Sequence, residues 1–133
     1  MAQEVTEMLY HLLQETYFDS IDTGDADTAV TAMHQDVEWV HTQVWEHDGH
    51  ISRETDTLDG REAVRAFLAD RIGEMQEEGI EHKVRAAMGH GDLGSFRAEV
   101  VGSDGETEPF MGLVKLTDGK ISKYVVGPED LPE

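Results

Sequence analysis

Apolar residues at Val5, Met8, Leu9, Leu12, Leu13, Tyr17 and Ile21 recur every three or four positions, which predicts an amphipathic helix over residues 3–20. The pattern stops at Asp22-Thr23-Gly24-Asp25. There Gly24 suits a helix end, and Asp25 suits the N-cap of a second helix carrying Ala26, Ala29, Val30 and Met33. From Val37 to Trp45 the chain is β-branched and aromatic, which favours a strand. Asp59-Gly60 opens a third helix with Ala63, Val64, Phe67, Leu68, Ile72 and Met75 on one face. Beyond it the period drops to two. Ile80, His82, Val84, Ala86 and Met88 alternate with Glu81, Lys83, Arg85 and Ala87, and Phe96, Ala98 and Val100 alternate with Ser95, Arg97 and Glu99. Asp104-Gly105 and Asp118-Gly119 predict tight hairpins around strands near 107–117 and 120–127.

Helices that mostly precede an antiparallel meander of four strands define an α+β class. A strongly twisted sheet curls around helices laid on it and leaves a cavity between the layers. The 133 residues make one domain, residues 1–133, ending in an acidic tail of about 128–133 punctuated by Pro128 and Pro132.

Charge narrows the functional classes. Asp and Glu number 29 against 10 Lys and Arg, a formal net charge of -19 that repels phosphate backbones and anionic lipid. Nucleic-acid and membrane partners are therefore excluded. No cysteine is present, so thiolate chemistry, disulfides and Cys-based metal centres are excluded as well. The first residues carry acids where a signal peptide carries Lys or Arg, and no apolar run approaches the ~20 residues that span a bilayer. A cytoplasmic location is expected. The only lysines are Lys83, Lys115, Lys120 and Lys123; an acid-rich, lysine-poor chain with a periodic core suits a salt-loaded cytoplasm, where the Debye length falls to ~3 Å at 1 M salt.

Few residues are candidates for chemistry. His82 shares its strand face with Ile80, Val84, Ala86 and Met88, so it points into the core or a cavity, either as a satisfied core histidine or as a base. His41 shares the odd face of the first strand with Val37 and Trp39, while the even face carries Val40 and Val44, leaving the inward face open. Tyr17 continues the apolar stripe of the first helix and is either core or a hydroxyl donor. His41, His47 and His50 sit among acids, but without the helical spacing of a metal motif, so a solvated loop is expected and no metal is assigned. No phosphate-binding glycine loop or nucleophile elbow is present.

Tyr17-Phe18-Asp19-Ser20-Ile21-Asp22-Thr23-Gly24-Asp25, His34-Gln35-Asp36-Val37-Glu38-Trp39 and Asp59-Gly60-Arg61-Glu62-Ala63-Val64-Arg65-Ala66-Phe67, followed by the closing meander, resemble the SnoaL-like branch of the nuclear transport factor 2-like superfamily. That branch contains polyketide cyclases, ketosteroid isomerases and scytalone-type dehydratases. The resemblance implies three N-terminal helices packed in the concave face of a strongly curved, mainly antiparallel sheet, a cone-shaped α+β barrel. It implies an Asp22–His82 general-base pair, with His41 and Tyr17 binding the substrate oxygen. Trp39, Phe96, Ala98, Phe110, Val114 and Tyr124 would line an apolar pocket. No cofactor is implied. The partners would be a small apolar oxygenated ring molecule and a second copy of the chain, paired through the sheet. Ketosteroid isomerases also place a protonated Asp on the penultimate strand, where this chain has Pro109, Phe110, Met111 and Gly112. A dehydratase or cyclase running on a histidine base therefore fits better than a steroid isomerase. The rival is a non-catalytic ligand-binding or dimerisation module of the same fold.

Overall fold

A computed structural model describes residues 2–42 and 55–128. Helix α1 is one helical run, residues 2–22. It is α-helical over Ala2–Tyr10, widens to a π-helix over His11–Phe18 and returns to α over Asp19–Asp22. The apolar pattern locates this helix correctly and does not show the π stretch. After the Gly24 turn, the Asp25 carboxylate accepts the Thr28 N–H at 3.0 Å and so caps α2 (Ala26–Ala29), as its residue type suggests. A 3₁₀ turn, Val30–Ala32, leads into β1 (Met33–Thr42). The expected strand at Val37–Trp45 thus starts earlier, and Val44 and Trp45 lie outside the described residues. Next come β2 (Thr55–Asp59), α3 (Arg61–Glu78), β3 (Glu81–His90), β4 (Leu93–Val101), β5 (Thr107–Thr117) and β6 (Lys120–Pro128).

The six strands form one sheet in the order β2-β1-β6-β5-β4-β3, with β1 and β6 parallel and every other neighbouring pair antiparallel. The class and the helix-on-sheet layering are those expected, but among the described residues the sheet stays open, with β2 and β3 as its two edges, so it is not a closed barrel. Strand β2 has only Leu58 as a large apolar residue, which is why no strand was legible there. The β5–β6 turn has both Asp118 (φ 54°) and Gly119 (φ 75°) in the left-handed region, the geometry of a two-residue type I′ hairpin.

One face of the sheet, with α1 and α3, closes the core. Leu9, Leu13, Val37, Trp39, Val64 and Ile121 lose nearly all contact with solvent. At roughly 1.5–3 kcal/mol per large apolar side chain, such residues supply most of the drive to fold. Helix α1 approaches the β3–β4 hairpin over the paired Gly89 and Gly94, where an added Cβ would lie 2.5 Å from Val5 Cγ1 and 2.5 Å from Leu9 Cδ2, respectively.

Strand β3 corrects the expected alternation. Val84 pairs with Ala98, but the next pair is Ala86 with Arg97, so Arg85 is an extra residue in a bulge. The bulge reverses the phase of everything after it. Ile80 and Val84 point inward as expected, but Ala86 is exposed and Met88 is 68% exposed, while Ala87 packs on the core in their place.

Candidate active site

Strand register assembles the site. His41 on β1 pairs with Val126 on β6, Val126 with Gly112 on β5, Phe110 with Ala98 on β4, and His82 on β3 with Val100. His41, Phe110 and His82 therefore stand at the same end of the sheet. On β1 the odd positions Val37 and Trp39 are buried, which settles the inward face that the sequence leaves open. The C-terminal end of α1 reaches this end of the sheet with Phe18 and Asp22.

The Asp22 carboxylate grips His82 twice. Its Oδ2 accepts the His82 backbone N–H at 2.8 Å, and its Oδ1 lies 2.6 Å from Nδ1. Both side chains are only 13% exposed. A carboxylate can only accept, so neutral His82 carries its proton on Nδ1 and its lone pair on Nε2. The imidazole is held flat against Phe18, with ring centroids 5.2 Å apart and planes 7° from parallel, and the Phe110 ring meets it edge-on at 6.4 Å. Behind the pair, buried Gln14 donates to the His82 carbonyl and to Asp19 Oδ1, both at 2.9 Å, and accepts the Val84 N–H at 2.6 Å. On its outer side, Asp22 borders an open cleft of about 540 Å³, shared with Asp19, Gln76, Glu81 and Lys83.

His41 has the opposite surroundings. Its ring stacks on Trp39 at 5.2 Å and 10°, and its Nδ1 is buried with no hydrogen-bond partner among the described residues. Burial drives its pKa down to about 4; Asp56, its cross-strand neighbour on β2, opposes the shift, and His82 and Arg71 reinforce it. His41 is thus a neutral imidazole at neutral pH. Arg71 itself lies over the Phe67 ring, 4.9 Å from its centroid, and Phe67 packs against Trp39.

Tyr17 is buried in a polar network of its own. The Trp39 Nε1–H donates to its hydroxyl at 3.1 Å, and Tyr124 hydrogen-bonds to it as well. Burial raises both phenols far above the ordinary tyrosine range. Phe18 touches both Tyr17 and His82, so an aromatic ring adjoins each of these two polar groups. Phe96, Ala98, Val114 and Tyr124 are packed core at the depth of the sheet. A Cβ at Gly112 would lie 2.5 Å from Phe96 Cε1. Phe110 and Trp39 are the two expected wall residues that touch the histidines. Among the described residues no group of three or more His, Asp or Glu side chains is placed to hold a metal ion; His47 and His50 lie outside them. Gln14, Phe18, Asp56 and Arg71 escaped the sequence reading. Gln14 was legible as a polar interruption between Leu13 and Tyr17 on a buried stripe.

Residues 15–124 match the family described as the SnoaL-like domain. The chain belongs to that family. No match to a curated protein sequence was found. Among solved structures, this SnoaL-like chain is similar to a candidate ketosteroid isomerase from Kribbella flavida, with 17% identity, TM-score 0.63, and 96% of this chain and 82% of that one covered. A candidate polyketide cyclase from Sinorhizobium meliloti gives 16% identity and TM-score 0.62 over 96% and 99% of the two chains. An NTF2-like protein of unknown function from Mesorhizobium loti gives 14% and 0.64 over 93% of each. At these identities the likeness establishes the NTF2-like fold and no activity. Among the described residues no helix is long and apolar enough to cross a membrane.

Proposed function

We propose that this SnoaL-like domain is a cofactor-independent enzyme that moves a proton on a small apolar oxygenated ring substrate, as a dehydratase, cyclase or isomerase. The observation that carries this reading is the two-point grip of Asp22 on His82. It fixes the tautomer, so that Nε2 has the free lone pair with which to take a proton α to a carbonyl or assist loss of water. His41, kept neutral by its burial, binds the substrate oxygen. The Tyr17 hydroxyl, engaged by Trp39 and Tyr124, orients the Trp39 side chain on which His41 stacks. Phe18 and Phe110 pack on the His82 ring, and Phe67 packs on the Trp39 ring that His41 stacks against, so the surroundings of both histidines are aromatic. The charge of -19 fits work in a salt-loaded cytoplasm.

His82→Ala tests this reading against a panel of cyclic enones, ring ketones and hydroxylated ring ketones. The variant should keep the wild-type circular dichroism and lose turnover by roughly 10²–10⁴-fold, the usual worth of a positioned base. Turnover that persists in the variant would remove His82 from the chemistry.

A second reading rests on the outer sheet face. Met88, Leu93, Met111 and Leu113 are 44–68% exposed there, interspersed with Arg97 and Lys115, in a chain of otherwise acidic surface. Such a patch suits a second copy and serves a binding or dimerisation module as well as an enzyme. Wild-type protein that turns over nothing in the panel, yet sediments as a dimer, would favour the module.

A further inference from the structure

Among the described residues strand β3 is an edge of the sheet, so one row of its backbone N–H and C=O groups has no neighbouring strand there. Side chains of α1 occupy that row. Thr6 Oγ1 accepts the Gly89 N–H at 3.0 Å, Gln14 takes the Val84 N–H and donates to the His82 carbonyl, and Asp22 takes the His82 N–H. These three helix residues are eight positions apart. In an uninterrupted α-helix, eight residues turn through about 800°, so each would stand roughly 80° around the helix from the last. The π stretch closes wider turns through i→i+5 bonds, as in the Asp19 N–H donating to the Gln14 carbonyl, and advances roughly 80° per residue in place of 100°. Each interval, Thr6 to Gln14 and Gln14 to Asp22, contains four steps of each kind. Each therefore comes to about 720°, two full turns.

We infer that the π stretch of α1 is a register device: it phases Thr6, Gln14 and Asp22 onto one line, closes the free edge of β3, and makes Gln14 the positioning residue that aligns His82 with Asp22. Gln14 ties down the backbone on both sides of Lys83, at the His82 carbonyl and the Val84 N–H, and its third bond holds Asp19, one helical turn before Asp22. The strand cannot slide along the helix without breaking these bonds. The alignment is a structural claim and stands whether or not His82 is a catalytic base.

The test is ¹⁵N NMR of the histidine rings, with amide exchange, on the full chain. In the wild type, His82 should show one tautomer, protonated at Nδ1. Gln14→Met fills the same volume without hydrogen bonds. It should speed exchange of the Val84 amide by at least about tenfold and turn His82 into a mixture of tautomers. Gln14→Asn keeps the buried amide but is one methylene too short to span the edge, and should act in the same direction should the methionine variant not fold. Thr6→Val is the control: it loosens Gly89 and leaves the His82 ring signals unmoved. Faster Val84 exchange with His82 still locked in one tautomer would overturn the positioning role and leave Gln14 as an edge cap. A wild-type His82 without a fixed tautomer would overturn the Asp22 pair itself, and with it the proposed base. Loss of activity in His82→Ala alone tests the reaction and does not bear on Gln14.

Discussion

His82 and His41 stand at the same end of the sheet, and the protein controls them by opposite means. His82 is held by polar contacts: a carboxylate on its Nδ1, the same carboxylate on its backbone, and an amide bracing the strand around it. His41 is held by exclusion: an indole face, burial, and a nitrogen with no partner among the described residues. The first arrangement sets a carboxylate against the ring and fixes which nitrogen carries the proton. The second opposes a positive imidazolium, because desolvation penalises the charged form. An enolate or alkoxide chemistry needs both, one group to take a proton and one to bind oxygen without itself being charged. The pair is also coupled, since charge on His82 further disfavours charge on His41.

The sharpest way to break this contrast is Asp22→Asn. The amide oxygen can still accept the His82 backbone N–H, but its NH₂ now faces Nδ1 and donates to it. His82 then carries its proton on Nε2, and the lone pair that should face the substrate is spent behind the ring. We expect the ¹⁵N tautomer signature to invert, and turnover in the substrate panel to fall by about 10²-fold or more. The fold should persist, because no buried donor or acceptor is left without a partner. An unchanged tautomer would show that something other than Asp22 fixes the ring.

The next largest effect concerns His41 and pH. The unfolded chain takes up a proton on this residue near pH 6.5, while the folded chain resists until about pH 4. Between these values the unfolded state binds more protons, so stability falls as pH falls through that window and does not depend on His41 above it. The whole shift corresponds to at most roughly 3 kcal/mol. His41→Phe keeps the stack on Trp39 and removes the titration. Urea unfolding from pH 7 to pH 4.5 should show the wild type losing more stability than the variant, with the gap widening as pH drops. Parallel curves would mean that His41 is solvated, and would erase the contrast with His82.

The sequence made one half of this comparison more legible than the other. Asp22 and His82 lie 60 residues apart, yet each sits in a local motif, a helix-ending Asp before a glycine turn and a histidine in an alternating strand. The resemblance could join them. The helix order, the four-strand meander and both Asp-Gly hairpins were equally local signals. What failed were features set by phase. The π stretch of α1 and the bulge at Arg85 each shift the register of everything after them, and neither uses a glycine or proline that would announce it. The exposed Met88 is a consequence of the bulge. Strand β2, with Asp56 opposite His41, was missed because a short edge strand of mostly polar residues has no apolar alternation to read. An orphaned buried nitrogen has no sequence signature at all.

The smallest effect comes from the residue that borders both regions. Tyr17 touches Phe18, which stacks on His82, and receives the Trp39 indole N–H, whose ring carries His41. Tyr17→Phe removes one hydroxyl and leaves the ring. The Trp39 N–H and the Tyr124 hydroxyl then lose their common acceptor in a site closed to water, a cost of about 1–3 kcal/mol in unfolding free energy. If the hydroxyl serves only this network, turnover falls by no more than a few-fold, the His82 tautomer is unchanged, and His41 moves slightly as the freed Trp39 ring relaxes. If the hydroxyl instead reaches substrate oxygen, the variant loses kcat by at least about tenfold, in excess of anything its stability explains. Measuring kcat and unfolding on the same preparation separates the two, and decides whether the oxygen-binding side of the site consists of His41 alone or of His41 and Tyr17 together.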